Sequence, residues 1–268
     1  MGLCGLCRKY SELKDSHLMP KSLYGALRNA YPESGHDLVF ARKSTKTAGF
    51  TDYQVKKPFL CACCEDRFSK FGENIVAPEC HRGKGNFTLL DKIKVAKAEF
   101  IQNEERWISP QNCGTIESSA YLYFAVSIIW RASAGDWADG LELYHGALGE
   151  KYQERIRRYL LGETDCPKNI YLAVYVDNDN DLLPLMSFPV VNNKSGYHHH
   201  IFYIPGVKFS LVIGSKADGV KELFEQSQTN IYFIEYSFRK HPDFKLFQRE
   251  TKYGLTPKGR LAKGLSRE

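Results

Sequence analysis

The sequence lacks a long uninterrupted apolar segment. Its longest apolar run extends from Ala120 to Trp130, contains Ser127 and is closed by Arg131, whereas a helix that spans a bilayer needs about 20 apolar residues. The first ten residues include two cysteines and have no apolar core of the length that a secretion signal requires. We therefore expect a cytoplasmic protein without a membrane span.

Internal repeats and low-complexity tracts are also missing. Hydrophobic residues make up 43% of the chain and charged residues 25%, and the mean hydropathy is −0.40. These values exclude a disordered chain and a membrane-embedded one. With 268 residues, the chain is long enough for one large domain or two small ones.

The net charge of +6 is unevenly distributed. Residues 1–100 carry 17 basic against 11 acidic side chains, and residues 101–238 carry 11 against 17. The last thirty residues carry nine basic and three acidic side chains. This pattern suggests that an anionic partner, most simply nucleic acid, meets the two ends of the chain. The alternative is an uneven charge without such a partner.

Composition divides the chain into four segments, which together predict an α+β fold. Residues 1–91 are rich in proline, glycine and cysteine, and residues 92–165 have the apolar spacing of helices. Residues 166–238 have the short, β-branched and aromatic runs of an antiparallel β region. Residues 239–268 are basic, and we predict an extended tail there.

The periodicity also predicts individual elements. Helices are expected at Ser118–Ser133, Leu141–Leu161 and Ala217–Gln226. An antiparallel meander of about five strands is expected at Ile170–Val176, Leu182–Val191, Tyr197–Ile204, Val207–Ile213 and Ile231–Phe238.

Two Cys-x-x-Cys pairs, Cys4/Cys7 and Cys61/Cys64, predict a structural zinc site. Each pair places two thiolates on one tight turn, and two pairs complete a tetrahedral zinc site. A strand at Phe59-Leu60 and a helix at Glu65–Phe71 would complete a treble clef. Cys63 remains an alternative ligand in the second pair.

The other cysteines and a histidine triplet favour structural roles. The adjacent Cys80 and His81 lack ligand spacing, and Cys113 and Cys166 are isolated thiols that we expect to be inert. His198-His199-His200 lies in a predicted strand, where alternation turns His199 away from its neighbours and argues against a metal role.

The order of motifs in the first seventy residues resembles a known family. Cys4-x-x-Cys7 is followed by Asp15-Ser16-His17-x-x-Pro20, and then by Leu60-Cys61-x-x-Cys64-Glu65. This order is similar to that of the HNH (ββα-metal) endonucleases, and within them to the endonuclease VII type.

The resemblance implies a role for each matching position. Cys4, Cys7, Cys61 and Cys64 match the zinc ligands, and His17 matches the general base. Glu65 stands where the family has a metal-binding Asn or His, so it would hold a catalytic Mg²⁺ or Mn²⁺, with Asp15 or Ser16 as further candidates.

The chain also departs from the family pattern. Ser16 stands where Asp or His usually precedes the base, and the acidic Asp15 lies one place earlier. On an extended segment this shift turns the carboxylate to the other face. No obvious HNH asparagine lies in Asp52–Phe59.

A non-catalytic reading of the same residues is also open. Ser16 or Asp15 would cap a helix that begins near Pro20 or Lys21, and His17 would be hydrogen-bonded inside the zinc module. Glu65 would then pair with Arg67 or Lys70.

Basic side chains around the proposed site could contact phosphates on either reading. Lys56, Lys57, Arg67 and Lys70 are the main candidates, together with Arg42, Lys43, Lys46, Arg82 and Lys84.

Three functions follow as hypotheses. The first is a metal-dependent HNH-like nuclease acting on DNA or RNA. The second is a catalytically degenerate zinc-finger protein that binds nucleic acid through its head and tail. The third is a protein-interaction component of a prokaryotic phage-defence system, and it rests on analogy rather than on a residue.

Overall fold

The fold is described from a computed structural model of residues 1–30, 38–42, 44–83, 85–137, 144–194 and 196–265. It is α+β, with a helical middle and a C-terminal sheet rich in antiparallel pairs. None of the described helices is both long and apolar enough to cross a bilayer.

The helices are α1 (Lys21–Ala30), α2 (Ala62–Phe68), α3 (Asn74–Glu79), α4 (Thr88–Val95), α5 (Ser118–Ala134), α6 (Gly149–Leu160), α7 (Asp218–Gln226), α8 (Pro242–Tyr253) and α9 (Arg260–Leu265). The strands before α5 are β1 (Gly2–Leu3), β2 (Tyr10–Ser11), β3 (Leu13–His17), β4 (Leu38–Arg42), β5 (Thr47–Thr51), β6 (Lys56–Cys61), β7 (Phe100–Gln102) and β8 (Glu105–Ile108). The later strands are β9 (Ile170–Asp177), β10 (Val190–Lys194), β11 (Tyr197–Ile204), β12 (Val207–Ile213), β13 (Ile231–Tyr236) and β14 (Thr256–Pro257).

The N-terminal part is built from short paired strands and one interrupted helix. β1 pairs with β2, and β3 pairs with β6, in both cases antiparallel. The chain then enters α2 directly and continues through a π-helical turn at Ser69–Glu73 into α3. These strands are too short to bury a core of their own, so they depend on the helices packed against them.

Helix α5 is the centre of the core. It is apolar on all sides, and every residue from Ala120 to Ser133 is buried, as expected for a helix surrounded by other elements. Gly72 in the π-helical turn lies against it so closely that a Cβ would come within 3.2 Å of Phe124 Cα. This contact joins the N-terminal part to the rest of the protein.

A seven-stranded sheet lies beside α5, in the order β10-β11-β12-β9-β13-β8-β7. β9 is its middle strand and pairs antiparallel with β12 but parallel with β13. Nearly every residue of β9 is buried, because it has a neighbouring strand on both edges and packing on both faces.

The sheet differs from the predicted five-strand meander. β13 does not follow β12 in space but joins the opposite edge of β9, and β7 and β8 come from the segment predicted to be helical. Of the predicted strand Leu182–Val191, only the last two residues, Val190 and Val191, belong to a strand, and they begin β10. Pro184 and Pro189 explain this, because proline has no N–H to donate to a sheet.

The helix predictions are closer to the structure. α5 and α7 match the predicted helices to within one residue at each end. The predicted helix Leu141–Leu161 begins only at Gly149, and residues 141–143 lie outside the described residues. Gly146 and Gly149 both have positive φ, a backbone conformation that interrupts a helix.

The predicted extended tail is wrong for most of its length. Residues 242–253 form α8, and the chain then adds β14 to the edge of the β4–β5 hairpin. The helix begins where His241 Nδ1 accepts a hydrogen bond from Asp243 N, with Pro242 at the first helical position.

Candidate metal centre and the adjoining His17 site

Four cysteines from distant parts of the chain meet at one point. The Sγ atoms of Cys4, Cys7, Cys61 and Cys64 all lie within 4.8 Å of one another, and the Cys7 and Cys61 sulfurs are 3.8 Å apart. Tetrahedral zinc with Zn–S bonds of about 2.3 Å requires sulfurs about 3.8 Å apart. The cluster can therefore hold a metal such as zinc.

The local fold explains how each pair is presented. Cys4 and Cys7 lie on the turn between β1 and β2, whereas Cys61 ends β6 and Cys64 lies on the first turn of α2. Cys63 is exposed and is not part of the cluster. The structure thus selects Cys61 and Cys64, the pair with Cys-x-x-Cys spacing.

Backbone N–H groups favour one thiolate in particular. Burial raises the pKa of Cys4, but hydrogen bonds from the backbone of Cys61, Cys7 and Leu6 outweigh it and lower the value to about 7. The Cys61 N–H lies 3.3 Å from Cys4 Sγ. Burial raises the pKa of Cys64.

The cysteine turn is fixed to the helical core. Arg157 on α6 donates to the Leu6 carbonyl at 2.8 Å and pairs with Glu154 at 2.8 Å. The Phe59 ring lies 5.8 Å from Trp130, and a Cβ at Gly5 would come within 2.5 Å of the same ring. The close approach at Gly5 therefore requires glycine.

Ser16 and Asp15 are engaged within the β3–β6 pair. The buried Ser16 hydroxyl accepts a hydrogen bond from Leu60 N at 3.0 Å, next to an irregularity of the ladder between Lys14 and Asp15. Asp15 Oδ2 pairs with Lys56 Nζ at 3.0 Å. These contacts lie within the strand pair and not at the start of α1, where the non-catalytic reading expected one of the two side chains as a cap.

His17 is half-buried and held from two sides. Its Nε2 lies 2.9 Å from Gln54 Oε1, and its carbonyl accepts a hydrogen bond from Arg131 Nη1 at 3.0 Å. Because an amide oxygen only accepts, Nε2 carries the proton and Nδ1 keeps its lone pair.

The electrostatic environment keeps His17 neutral at pH 7. Burial and the charges of Lys56 and Lys21 lower its pKa, while the Gln54 hydrogen bond and the Glu65 carboxylate oppose them in part. A neutral imidazole with one free nitrogen can accept a proton.

Glu65 lies on the first turn of α2, next to Cys64. Its Oε1 is buried and has no hydrogen-bond partner among the described residues. Arg67, one of its two expected partners, donates instead to the Leu160 carbonyl at 2.6 Å. The other, Lys70, lies 5.5 Å from the centre of the Phe71 ring.

The remaining basic candidates are dispersed. Lys57 Nζ donates to the Asp136 carbonyl at 2.7 Å, and the Arg42 guanidinium lies 5.4 Å from the Phe40 ring centre. Lys46 lies on the turn between β4 and β5, and Arg82 follows α3. Lys43 and Lys84 lie outside the described residues.

The other predicted structural groups lie away from the cysteine cluster. Cys80 and Cys113 are buried, Cys166 is half-buried, and burial raises the pKa of Cys80 to about 12. His198 and His200 share one face of β11 with parallel rings, while His199 Nε2 bonds to Ser210 Oγ at 2.7 Å. This alternation is the one predicted.

Sequence reasoning missed Gln54 and Arg131 as neighbours of His17. Gln54 lies in the segment Asp52–Phe59, where the family pattern has an asparagine. Its side-chain amide was the signal that could have identified it as a partner of His17. Arg131 closed an apolar run and gave no sign of its contact.

Comparisons with protein-family models, curated proteins and solved structures each return no match for this chain.

Proposed function

We propose that residues 1–91 form an HNH-like treble clef in which structural zinc supports a phosphodiester-cleaving site at His17 and Glu65. Support comes from the order of the elements: a cysteine turn, the antiparallel pair β3–β6, and α2 directly after β6. His17 ends β3 and Glu65 follows the last cysteine of the cluster.

The observation that carries the proposal is the buried carboxylate oxygen of Glu65, which has no hydrogen-bond donor in the part of the chain that the structure describes. A buried carboxylate oxygen without a hydrogen-bond donor is costly, and a divalent cation would satisfy it. Oxygen ligands suit Mg²⁺ and Mn²⁺. Glu65 therefore fits as a ligand, and a bound Mg²⁺ or Mn²⁺ would supply charge neutralisation beside a phosphate.

His17 would act as the general base on water. Gln54 fixes the ring so that Nδ1 is the nitrogen that accepts the proton, and Arg131 fixes the backbone of the same residue. The water oxygen bonds to phosphorus as the P–O bond to the leaving sugar oxygen breaks; the proton from water moves to Nδ1, and the leaving oxygen takes a proton from solvent. Asp15 is occupied by Lys56, so Glu65 is the carboxylate on which the site depends.

The same ion pair favours a second candidate, a catalytically degenerate module that binds nucleic acid. Lys56 neutralises Asp15, and the Ser16 hydroxyl is buried in the hairpin. Neither group is then available as a second ligand. This candidate retains the zinc site and the basic surface without cleavage.

A cleavage assay separates the two candidates. Supercoiled plasmid, junction DNA and structured RNA are incubated with the full chain in Mg²⁺ or Mn²⁺. We expect His17→Ala and Glu65→Gln to lower the rate by at least about a hundredfold, the usual range for a lost acid–base group. His198→Ala and Asp66→Asn are matched controls and should leave it unchanged.

Each result has one reading. Equal cleavage by His17→Ala and the unmodified chain would exclude His17 as the general base and overturn the proposed site. No cleavage of any substrate by a zinc-loaded chain would overturn the nuclease and leave the binding module.

A further inference from the structure

The two basic ends of the chain meet in one small sheet. Thr256 and Pro257 of β14 pair in parallel with Thr47 and Ala48 of β5, whose other neighbour is β4. Thr256 N donates to the Lys46 carbonyl at 2.8 Å. We call β4, β5 and β14 the hairpin–tail sheet. Contact between segments two hundred residues apart was not evident from the sequence.

Two exposed lysines lie at the junction of β5 and β14. Lys46 and Lys258 are exposed, and neither makes an ion pair with any residue in the described ranges. Lys46 directly precedes β5, and Lys258 directly follows β14, where Lys258 N donates to the Ala48 carbonyl at 2.8 Å. The same elements and their flanks also carry Arg42, Lys252, Arg260 and Lys263.

Two acidic residues that flank these elements in the described part of the chain are paired with arginines. Asp52, directly after β5, binds Arg28 at 2.9 Å, and Glu250 of α8 lies 3.5 Å from Arg249. Neither of these two carboxylates is paired with Lys46 or Lys258. Exposed lysines such as Lys46 and Lys258 attract a polyanion and release its counterions on binding.

An exposed aromatic side chain accompanies the lysines. Tyr253, at the end of α8, is 76% exposed, and the Lys252 ammonium lies 5.2 Å from its ring centre. Lysine beside an exposed aromatic ring is the combination with which proteins hold the backbone and stack the bases of nucleic acid.

The sheet also lies close to the His17 site along the chain. β5 ends at Thr51, and Gln54, which binds the His17 ring, is three residues further. Lys46 lies before the other end of β5, and the eight residues from Lys46 to Gln54 span at most about 29 Å. A strand of nucleic acid on the hairpin–tail sheet is thus within a few nucleotides of His17.

We propose that the hairpin–tail sheet binds the phosphate backbone of nucleic acid and leads it to the His17 site. The binding part stands on the charge and geometry of this surface. The delivery part rests on the proposed nuclease function. An anionic membrane carries similar charge, and the test treats it as a competing outcome.

The test is a titration of the full chain with labelled 20-nucleotide duplex DNA, single-stranded DNA and RNA at several salt concentrations. His17→Ala is the background and no Mg²⁺ or Mn²⁺ is added, so cleavage does not interfere. The test variant is Lys46→Gln/Lys258→Gln. The control Lys151→Gln/Lys168→Gln removes the same charge from exposed lysines in the acidic middle of the chain.

We expect the test variant to bind roughly tenfold more weakly at 0.1 M salt and to reduce the slope of log K against log salt by about 2, close to one per lost phosphate contact. The control should match the background. A comparison of DNA with RNA identifies the nucleic acid.

Equal binding by the test variant and the control would overturn the proposal, as would binding to phosphatidylserine vesicles but to no nucleic acid. Failure of the nuclease function is a separate result. If the chain cleaves nothing but the lysine variant loses affinity, the binding surface stands and the catalytic proposal fails.

Discussion

Arg131 Nη1 donates a hydrogen bond to the carbonyl of His17 at 3.0 Å, across 114 positions of sequence. Its Nη2 pairs with Glu73 at 2.7 Å, and the arginine side chain is 1% exposed. One buried cation on α5 therefore fixes both the end of β3 and the turn that follows α2. The loop-rich head is held in place by the helical core as well as by its cysteines.

The first prediction concerns this ion pair. Glu73→Gln leaves the Arg131 charge buried without a counterion, and Arg131→Met does the same to Glu73. Each single variant should lower the free energy of unfolding by about 3–5 kcal/mol. The double variant should recover part of that loss, because both charges are gone. Urea denaturation measures all three, and strictly additive losses would contradict a buried, interacting pair.

The second prediction concerns the metal. Cys61→Ser should lose bound zinc and lower the melting temperature, because three sulfurs cannot complete a structural site. Cys63→Ser, two residues away and exposed, should keep both. Elemental analysis gives the stoichiometry and calorimetry the melting temperature. Loss of zinc in the Cys63 variant would show that the ligand set is different.

The third prediction concerns the pH dependence of cleavage. His17 must be neutral to accept a proton, and its pKa is lowered by burial and by Lys56 and Lys21. The acid limb of kcat/KM should therefore lie below 6.5, the ordinary histidine value. Gln54→Leu should move the limb to lower pH and slow the reaction, since the Gln54 hydrogen bond raises the pKa. A limb at or above 6.5 would exclude His17 as the base.

The fourth prediction concerns the stability of the sheet in acid. His200 is buried beside Tyr144, and burial together with His198 and His199 lowers its pKa to about 3. A histidine whose pKa is lower in the folded state contributes its full stabilisation of the fold at pH values above its unfolded-state pKa of about 6.5. That contribution declines as the pH falls toward 3.

Below pH 6.5 the free energy of unfolding should fall by an amount that approaches about 1.4 kcal/mol per pH unit. His200→Gln should remove this slope between pH 6.5 and 5, whereas His198→Gln should keep it. Urea denaturation at each pH gives the comparison. Parallel curves for the His200 variant and the unmodified chain would show that His200 does not charge on unfolding.

Local pattern predicted the elements better than their arrangement. The apolar block of α5 and the spacing of α7 are local signals, and both helices lie where expected. The pairing of β13 with β9 depends on packing between residues some sixty positions apart, which no short window contains. The same applies to β14, a two-residue strand defined only by its partner.

The candidate site divides in the same way. The cysteine cluster was predictable because Cys-x-x-Cys spacing encodes the turn that presents the ligands. The neighbours of His17 were not, since Gln54 and Arg131 reach it from a loop and from a helix that carry no motif. Their roles arise from tertiary contacts alone.

The short strand β14 also protects the hairpin to which it is added. It covers two residues of the edge of β5, and removal of the segment 256–258 would leave the Lys46 and Ala48 carbonyls without their present hydrogen-bond donors. A bare strand edge is a template for pairing with another chain. Shortening the protein before Thr256 should therefore favour self-association through β5.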